Sequence, residues 1–192
     1  MDNREMILET ALDLFYARGY DAVGVQEIAE RSGVTKPTLY YYFKSKYGLL
    51  EQLLENRGTP FLEELRRAGE YHGELKETLC AMAETTVSFA GREPKMAALF
   101  IALYHSARGN EAYRAVRPMV LELQRIVENV FDSAASDLGN MHGRQRQFSV
   151  GFIGLVIYYI VMKQEMSGGK GICISREEIE SVVHQFMHGI YS

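Results

Sequence analysis

The sequence predicts an all-α protein, in which a short three-helix domain, residues 1–48, precedes a longer helical bundle, residues 49–192. Three features predict this fold: apolar residues recur at helical spacing, cap-forming residues precede these stretches, and glycine or proline separates them. The 192 residues are 47 % hydrophobic and 24 % charged, as in an average globular protein. This composition excludes a disordered chain, a collagen-like repeat and a disulfide-rich scaffold.

The first helix is predicted to begin at Asp2 and to end before Gly19. Asp2 and Glu5 have the spacing of a capping box, and glycine readily takes the left-handed conformation that ends helices. Its apolar positions, which we expect to be buried, are Ile7, Leu8, Ala11, Leu12, Leu14 and Phe15.

Two short helices follow the first. One covers about 25–32 and ends at Gly33. Thr35 is the expected cap of the next, which has Lys36 and Pro37 in its first turn, where the missing N–H of proline costs nothing. A helix, a glycine turn and a capped short helix together predict a helix-turn-helix unit.

Longer helices are predicted beyond Gly48. Gly58, Thr59 and Pro60 should kink the first of them or end it and restart it through Thr59, and Pro118 should bend or end another. Ser175 and Glu178 have capping-box spacing for the last. The predicted ranges are roughly 49–57, 74–90, 94–108, 111–138, 144–166 and 176–190.

Charge is segregated near the N-terminus. The net charge of −4 argues weakly against a nucleic-acid partner, and residues 1–30 hold seven acids and two bases. Residues 31–48 hold no acid, four bases and four tyrosines. A basic, aromatic and hydroxyl-rich segment suits contact with a phosphate backbone, and its alternative interpretation is an ordinary solvated helix face.

The third helix has the pattern of a helix that enters the major groove of DNA. Leu39 and Phe43 are its inward-facing pair, which leaves three consecutive tyrosines, Tyr40, Tyr41 and Tyr42, with little room for burial. Lys36 and Thr38 are predicted to meet base edges, because recognition helices point their N-terminal residues at the bases. The tyrosine hydroxyls and Lys46 are better suited to phosphates.

The stretch from Ile28 to Lys46 resembles the TetR family of transcriptional regulators. It carries the pattern I-A-x-x-x-G-V-x-K-x-x-L-Y-x-x-F-K-x-K, after a helix that ends in F-x-x-x-G-Y, and the resemblance covers about the first 50 residues. Pro37 stands where glycine or alanine is more usual. Gly48 is also a departure and predicts a looser start of the fourth helix. The resemblance implies that the residues where relatives contact DNA are Thr35, Lys36, Thr38, Tyr40, Tyr41 and Lys46, with Tyr42 where many relatives have histidine.

The resemblance also implies partners. It implies a homodimer that binds a palindromic double-stranded DNA operator, most often as a repressor released by a small-molecule effector whose identity the sequence does not give. Two-fold symmetry would set the half-sites about 34–36 Å apart, or a multiple of this. The rival hypothesis is a helical ligand- or partner-binding protein whose helix-turn-helix does not read DNA.

Residues 80–160 are rich in methionine and aromatic side chains, which suit an adaptable apolar pocket as well as an ordinary core. His105 would add a titratable group to such a pocket. The pocket candidates are Met82, Phe89, Met96, Phe100, Tyr104, His105, Tyr113, Met119, Phe152 and Tyr159.

The resemblance implies a dimer, and the sequence permits a four-helix interface formed by the last two helices of each subunit. The helix over 144–166 is apolar on two sides, and the last helix carries an apolar stripe. The interface candidates are Leu155, Met162, Ile179, Val183, Phe186 and Ile190.

Other functional classes find little support. The apolar run from Phe148 to Met162 is shorter than the roughly 20 residues that span a bilayer. His184 and His188 share a helix face but lack a third metal ligand nearby, and no catalytic or cofactor motif is present. Widely separated Cys80 and Cys173, with no secretory segment after Met1, predict a reduced cytoplasmic protein.

Overall fold

A computed structural model describes residues 2–138, 141–168, 171 and 173–189. All its regular elements within these residues are helices, so the all-α prediction is confirmed. In chain order they are α1 (Asn3–Arg18), α2 (Val25–Arg31), α3 (Lys36–Phe43), α4 (Lys46–Ala68), α5 (Leu75–Arg92), α6 (Pro94–Tyr104), α7 (Glu111–Ser133), α8 (Gln145–Met166) and α9 (Arg176–His188).

The chain divides into two compact units. The N-terminal unit consists of Met1–Pro60 and Glu93–Val120, and the C-terminal unit of Phe61–Arg92 and Leu121–Ser192. This division differs from the predicted boundary after residue 48, because α4 begins at Lys46 and continues through that point without interruption. As a division of functions, the predicted boundary stays a prediction.

The N-terminal unit is built on α1. The Asp2 side chain accepts a hydrogen bond from the backbone N–H of Glu5 at 2.8 Å, and Gly19 ends the helix at φ 78°. The six apolar residues predicted to be buried are at most 3 % exposed, and α1 packs against α2, α3 and α6. Both predicted ends of this helix are therefore confirmed.

Ion pairs add to this packing. Arg57 of α4 pairs with Glu5 and Glu9 of α1 and, at 2.9 Å, with Glu93 just before α6. Lys95 of α6 pairs with Asp13 of α1 at 2.5 Å. The support beneath the helix-turn-helix thus comes from α1, α4 and α6 together.

The C-terminal unit packs α5 against α8 and α9. The Ser175 side chain accepts from the backbone N–H of Glu178, and the Glu178 side chain accepts from that of Ser175, so the predicted capping box begins α9. Lys163 of α8 forms an ion pair with Glu178. The hydrogen bond from Lys163 is the main reason why the pKa of the Glu178 carboxyl is lowered. α8 is long and apolar enough to cross a membrane. One of its faces, which carries Phe152, Val156 and Ile160, is however buried within the protein.

Three predicted helix boundaries are wrong. α4 does not end at Pro60, because Phe61, Leu62 and Leu65 are buried immediately beyond it and this packing outweighs the roughly 3 kcal/mol cost of an internal proline. The alternative prediction, a kink at this point, stays a prediction. α7 likewise continues through Pro118 and ends at Ser133 instead of 138.

The third boundary error concerns α6, which ends at Tyr104 instead of 108. The Ser106 hydroxyl donates to the Leu103 backbone oxygen at 2.7 Å. The His105 Nδ1 atom lies 2.8 Å from the Ile101 backbone oxygen. Side chains that satisfy these last carbonyls end the helix early. The predicted end of the last helix at residue 190 lies outside the described residues.

Candidate nucleic-acid interface

The start of α3 is fixed by its cap. The Thr38 backbone N–H donates to Thr35 Oγ1 at 3.3 Å, and the two threonine hydroxyl oxygens lie 2.8 Å apart. Lys36 and Pro37, which complete the first turn, are exposed. The cap therefore presents Lys36 and Thr38 at the open N-terminal end of the helix.

Two buried side chains anchor α3. Leu39 is fully buried and Phe43 is 2 % exposed, and the helix packs against α1 and α2. The inward-facing pair predicted from the sequence is thus confirmed. With one side fixed in this way, the other side of α3 is free to meet a partner.

The outer side of α3 carries the three consecutive tyrosines. Tyr41 is 74 % exposed, and Tyr40 and Tyr42 are 39 % and 37 % exposed. Lys36 places its ammonium 5.9 Å from the centre of the Tyr40 ring. Aromatic rings with free hydroxyls beside a cation suit contact with phosphates and with base edges.

Lys46 occupies a different place from the one predicted. Its Nζ donates to the backbone oxygens of Tyr20 and Val23, both at 3.0 Å, and lies 4.2 Å from the centre of the Tyr20 ring. The ammonium therefore stabilises the turn between α1 and α2 instead of pointing freely toward a partner. The sequence could not indicate this, because the two carbonyls are more than twenty positions away.

The corner between α3 and α4 is a tight turn. Lys44 has φ 64° and ψ −37°, and the Ser45 backbone N–H donates to the Phe43 oxygen at 2.7 Å, which closes a γ-turn around Lys44. The Ser45 hydroxyl oxygen then accepts from the Gly48 N–H at 2.8 Å and caps α4. A Cβ on residue 48 would collide with the Phe43 backbone oxygen. Gly48 thus permits a close approach here, and the loose start predicted for this helix is wrong.

Tyr20 links the turn after α1 to the start of α7. Its hydroxyl donates to Glu111 Oε2 at 3.0 Å, and the Asn110 amide donates to Asp21 at 2.6 Å. Burial, followed by the hydrogen bond to Glu111, raises the pKa of the Tyr20 hydroxyl. These bonds join the helix-turn-helix to the segment between α6 and α7, a connection that sequence patterns gave no sign of.

The ten predicted pocket residues are distributed over both compact units. Met82, Phe89, Phe152 and Tyr159 lie in the C-terminal unit, and the other six lie in the N-terminal unit. Met82 and Met96 are fully buried, whereas Tyr104 is 41 % exposed and stacks on Tyr113, and His105 is exposed. The prediction of one shared ligand pocket stays a prediction.

The C-terminal unit contains a cavity of about 160 Å³ lined in part by Phe131, Phe148, Phe186 and Arg144. None of the ten candidates lines it, whereas Tyr159 lines a smaller cavity of about 10 Å³. This space is partly open to solvent, and its volume leaves room for a small apolar group.

The predicted dimer residues divide into two groups. Ile179 and Val183 are 6 % and 0 % exposed within their own chain, and Phe186 packs against Phe131 and Phe152 with ring centres 6.2 and 5.6 Å apart. Ile179 and Val183 therefore belong to the core of their own chain, where α9 lies against α5. Phe186 is only partly buried, although its ring reaches α8.

The second group is more accessible. Met162 is 37 % exposed and Leu155 is partly exposed. Ile190 lies outside the described residues.

His184 and His188 lie side by side on α9, with ring centres 4.4 Å apart. Within the residues that the structure describes, no group of three histidine, cysteine or acidic side chains is placed to hold a metal ion. The pair therefore lacks the further protein ligands that a structural zinc site requires.

Known proteins resemble this chain in sequence and in fold. Residues 7–53, which include α2 and α3, match the family model described as bacterial regulatory proteins, tetR family. The transcriptional activator FasR of Mycolicibacterium smegmatis is 28 % identical over 156 residues, which are 81 % of this chain and 69 % of that protein.

Two solved structures share the fold over nearly the whole chain. FadR of Bacillus subtilis, solved with stearoyl-CoA, has a TM-score of 0.79 at 20 % identity and covers 97 % of this chain and 98 % of its own. AibR, solved with isovaleryl coenzyme A and operator DNA, has a TM-score of 0.70 at 22 % identity, with 96 % and 97 % covered. The match over residues 7–53 shows that the segment containing α2 and α3 is similar to the TetR family of bacterial regulatory proteins, and the two solved structures show the same fold over nearly the whole chain.

Proposed function

We propose that this protein is a homodimeric transcriptional regulator that binds operator DNA through α3 and is released by a small-molecule effector. The observation that carries the proposal is the exposed face of α3, where Lys36 and three tyrosines surround a helix anchored by Leu39 and Phe43. A short helix with few buried residues and a polar, cationic outer face suits the major groove. Binding to the DNA upstream of its own gene, measured by salt-dependent gel shift, tests the proposal.

Lys36→Ala and Thr38→Ala are expected to relax sequence preference at particular operator positions. A good bidentate contact to a base contributes about 1–3 kcal/mol of discrimination, and Lys36 has the more exposed side chain of the two. Selection of bound sequences from a random pool, done with the wild type and each variant, gives the measurement. A uniform loss of affinity across all sequences would show that the residue contacts only phosphate.

We propose an acyl-CoA thioester as the effector class. Two similar folds were solved with such ligands, stearoyl-CoA in FadR and isovaleryl coenzyme A in AibR. The apolar cavity in the C-terminal unit, with Arg144 among its lining residues, offers an aromatic surface and a cation to an anionic amphiphile.

Addition of the matching thioester is expected to weaken operator binding about 5- to 150-fold, because coupling between two sites is typically ~1–3 kcal/mol. Fluorescence anisotropy of labelled operator DNA, titrated with thioesters of increasing acyl length, measures the effect. Free coenzyme A and the corresponding free carboxylates are the controls. Release by free coenzyme A alone would contradict selection through the acyl group.

We further propose that the exposed face of α8 forms the dimer interface. Val150, Tyr158 and Met162 are 55 %, 67 % and 37 % exposed, and they lie with Gly154 at intervals of four residues along one side of the helix. Such a continuous apolar stripe marks an interaction surface, and closed two-fold symmetry covers it with its own copy. Of the interface residues predicted from the sequence, this stripe contains Met162. It contains none of the predicted residues of α9.

The rival function, a helical binding protein that does not read DNA, differs in one measurement. Such a protein would bind acyl-CoA but would show no salt-dependent affinity for any duplex. We favour DNA binding because the three tyrosines of α3 are exposed beside the cationic Lys36 and Lys44, as a phosphate-contacting face requires. A regulator of this kind acts by binding alone, in the cytoplasm and without catalysis.

A further inference from the structure

Lys44 and Lys46 flank the α3–α4 corner and have opposite surroundings. The Lys46 ammonium is held by two backbone carbonyls, as described above. Lys44 is exposed, and in the part of the chain that the structure describes no carboxylate lies within ion-pair distance of its ammonium. Its Nζ instead lies 3.2 Å from the Tyr41 backbone oxygen and 5.8 Å from the centre of the Tyr41 ring.

The backbone of Lys44 is in a conformation that glycine would adopt more readily. Its φ of 64° lies in the left-handed region, and the γ-turn that it centres is the rare, strained type. Its side chain is not buried, so packing does not explain why a residue with a Cβ occupies this position. Strained residues of this sort cluster where the side chain serves a function.

We propose that Lys44, not Lys46, supplies the cationic phosphate contact at the C-terminal end of α3, with the exposed Tyr41 ring beside it. This inference rests on the proposed DNA binding. The turn around Lys44 places its exposed ammonium, which donates to the Tyr41 backbone oxygen, next to the most exposed tyrosine of α3. A lysine in this position binds phosphate as a point charge and contributes affinity without reading sequence.

The test compares Lys44→Gly, Lys44→Ala, Lys44→Arg and Lys46→Met in the full-length protein. Binding to a mixed-sequence duplex several helical turns long is measured by anisotropy over a salt series, and thermal unfolding is followed by circular dichroism. Lys76→Ala, which removes an exposed lysine from α5, is the matched control for loss of one positive charge.

Lys44→Gly and Lys44→Ala are expected to reduce the slope of log K against log salt by about one unit, because one phosphate contact fewer releases one counterion fewer. The affinity lost between ~50 and ~200 mM salt should then be about fourfold smaller than for the wild type. Lys44→Arg and Lys76→Ala should keep the wild-type slope.

Thermal unfolding separates this role from a structural one. Lys44→Gly should raise the melting temperature while it weakens DNA binding, since glycine relieves the strained turn. Lys46→Met should lower the melting temperature and leave the slope unchanged, because its ammonium holds the α1–α2 turn.

Three results would overturn the proposal. A wild-type slope in Lys44→Gly would remove Lys44 from the phosphate contacts, and a reduced slope in Lys46→Met alone would assign the contact to Lys46. A wild-type protein that binds no duplex would defeat the proposed DNA binding, and this inference with it.

Discussion

Phe186→Glu is expected to unfold the C-terminal unit instead of separating two folded subunits. The Phe186 ring lies 5.6 Å from the ring centre of Phe152 and 6.4 Å from that of Phe148, and it is within contact distance of a Cβ built on Gly151. Removal of a fully buried phenylalanine costs about 3–5 kcal/mol; Phe186 is partly buried, and a carboxylate without a partner among its aromatic neighbours adds to the loss. The sum approaches the ~5–15 kcal/mol that stabilises an ordinary domain.

Thermal unfolding followed by circular dichroism, together with sedimentation, gives the measurement. We expect a large fall in melting temperature, with loss of helical signal or aggregation. Phe186→Leu, which preserves apolar volume, is the control and should cost less than about 1.5 kcal/mol. A Phe186→Glu protein that is monomeric and melts like the wild type would return Phe186 to the dimer interface.

Tyr158→Glu is expected to give a folded monomer that binds operator DNA weakly. Tyr158 is 67 % exposed at the middle of the apolar stripe of α8, so a charge there leaves the fold of the single chain intact. In a two-fold dimer the two glutamates would lie close together in an apolar contact, and burying unpaired like charges is strongly unfavourable. The dimer should therefore dissociate.

DNA affinity should fall with the dimer, because the second half-site is bound at high effective concentration only while the subunits are joined. The loss is expected to be about 10²- to 10⁴-fold, the usual range of the gain from bivalent binding. Sedimentation, circular dichroism and anisotropy on the same samples separate dissociation from unfolding.

The control is Leu121→Glu, which introduces the same charge at a 39 % exposed apolar position on α7 and should remain dimeric. A folded Tyr158→Glu protein that sediments as a dimer would move the interface away from this face of α8.

Local sequence signals predicted the helix starts well. The caps at Asp2, Thr35 and Ser175 depend on residues only three positions apart, so the necessary information is contained in a short stretch of sequence. The inward-facing Leu39 and Phe43 follow from helical spacing in the same way. The fold class and the exposed face of α3 were therefore predictable.

Long-range neighbours were not predictable. Helical spacing correctly predicts that the apolar side chain of Val183 is buried. It does not tell whether α5 of the same chain or a second subunit buries this side chain, and in the structure α9 packs against α5. Lys46 has the same difficulty, since its partners are carbonyls of a turn more than twenty residues earlier. Gly48 was misinterpreted because its need for close approach depends on the Phe43 oxygen, which only the three-dimensional turn brings near.

The two internal prolines lie close to the points where the chain passes between compact units. The division falls after Pro60 in α4 and, in α7, after Val120, shortly beyond Pro118. Proline lacks an N–H, so Pro60 and Pro118 cannot donate to the carbonyls of Asn56 and Arg114 one turn earlier. Helices bend most easily where a bond of the ladder is missing. A bend in α4 or α7 is therefore expected at its proline.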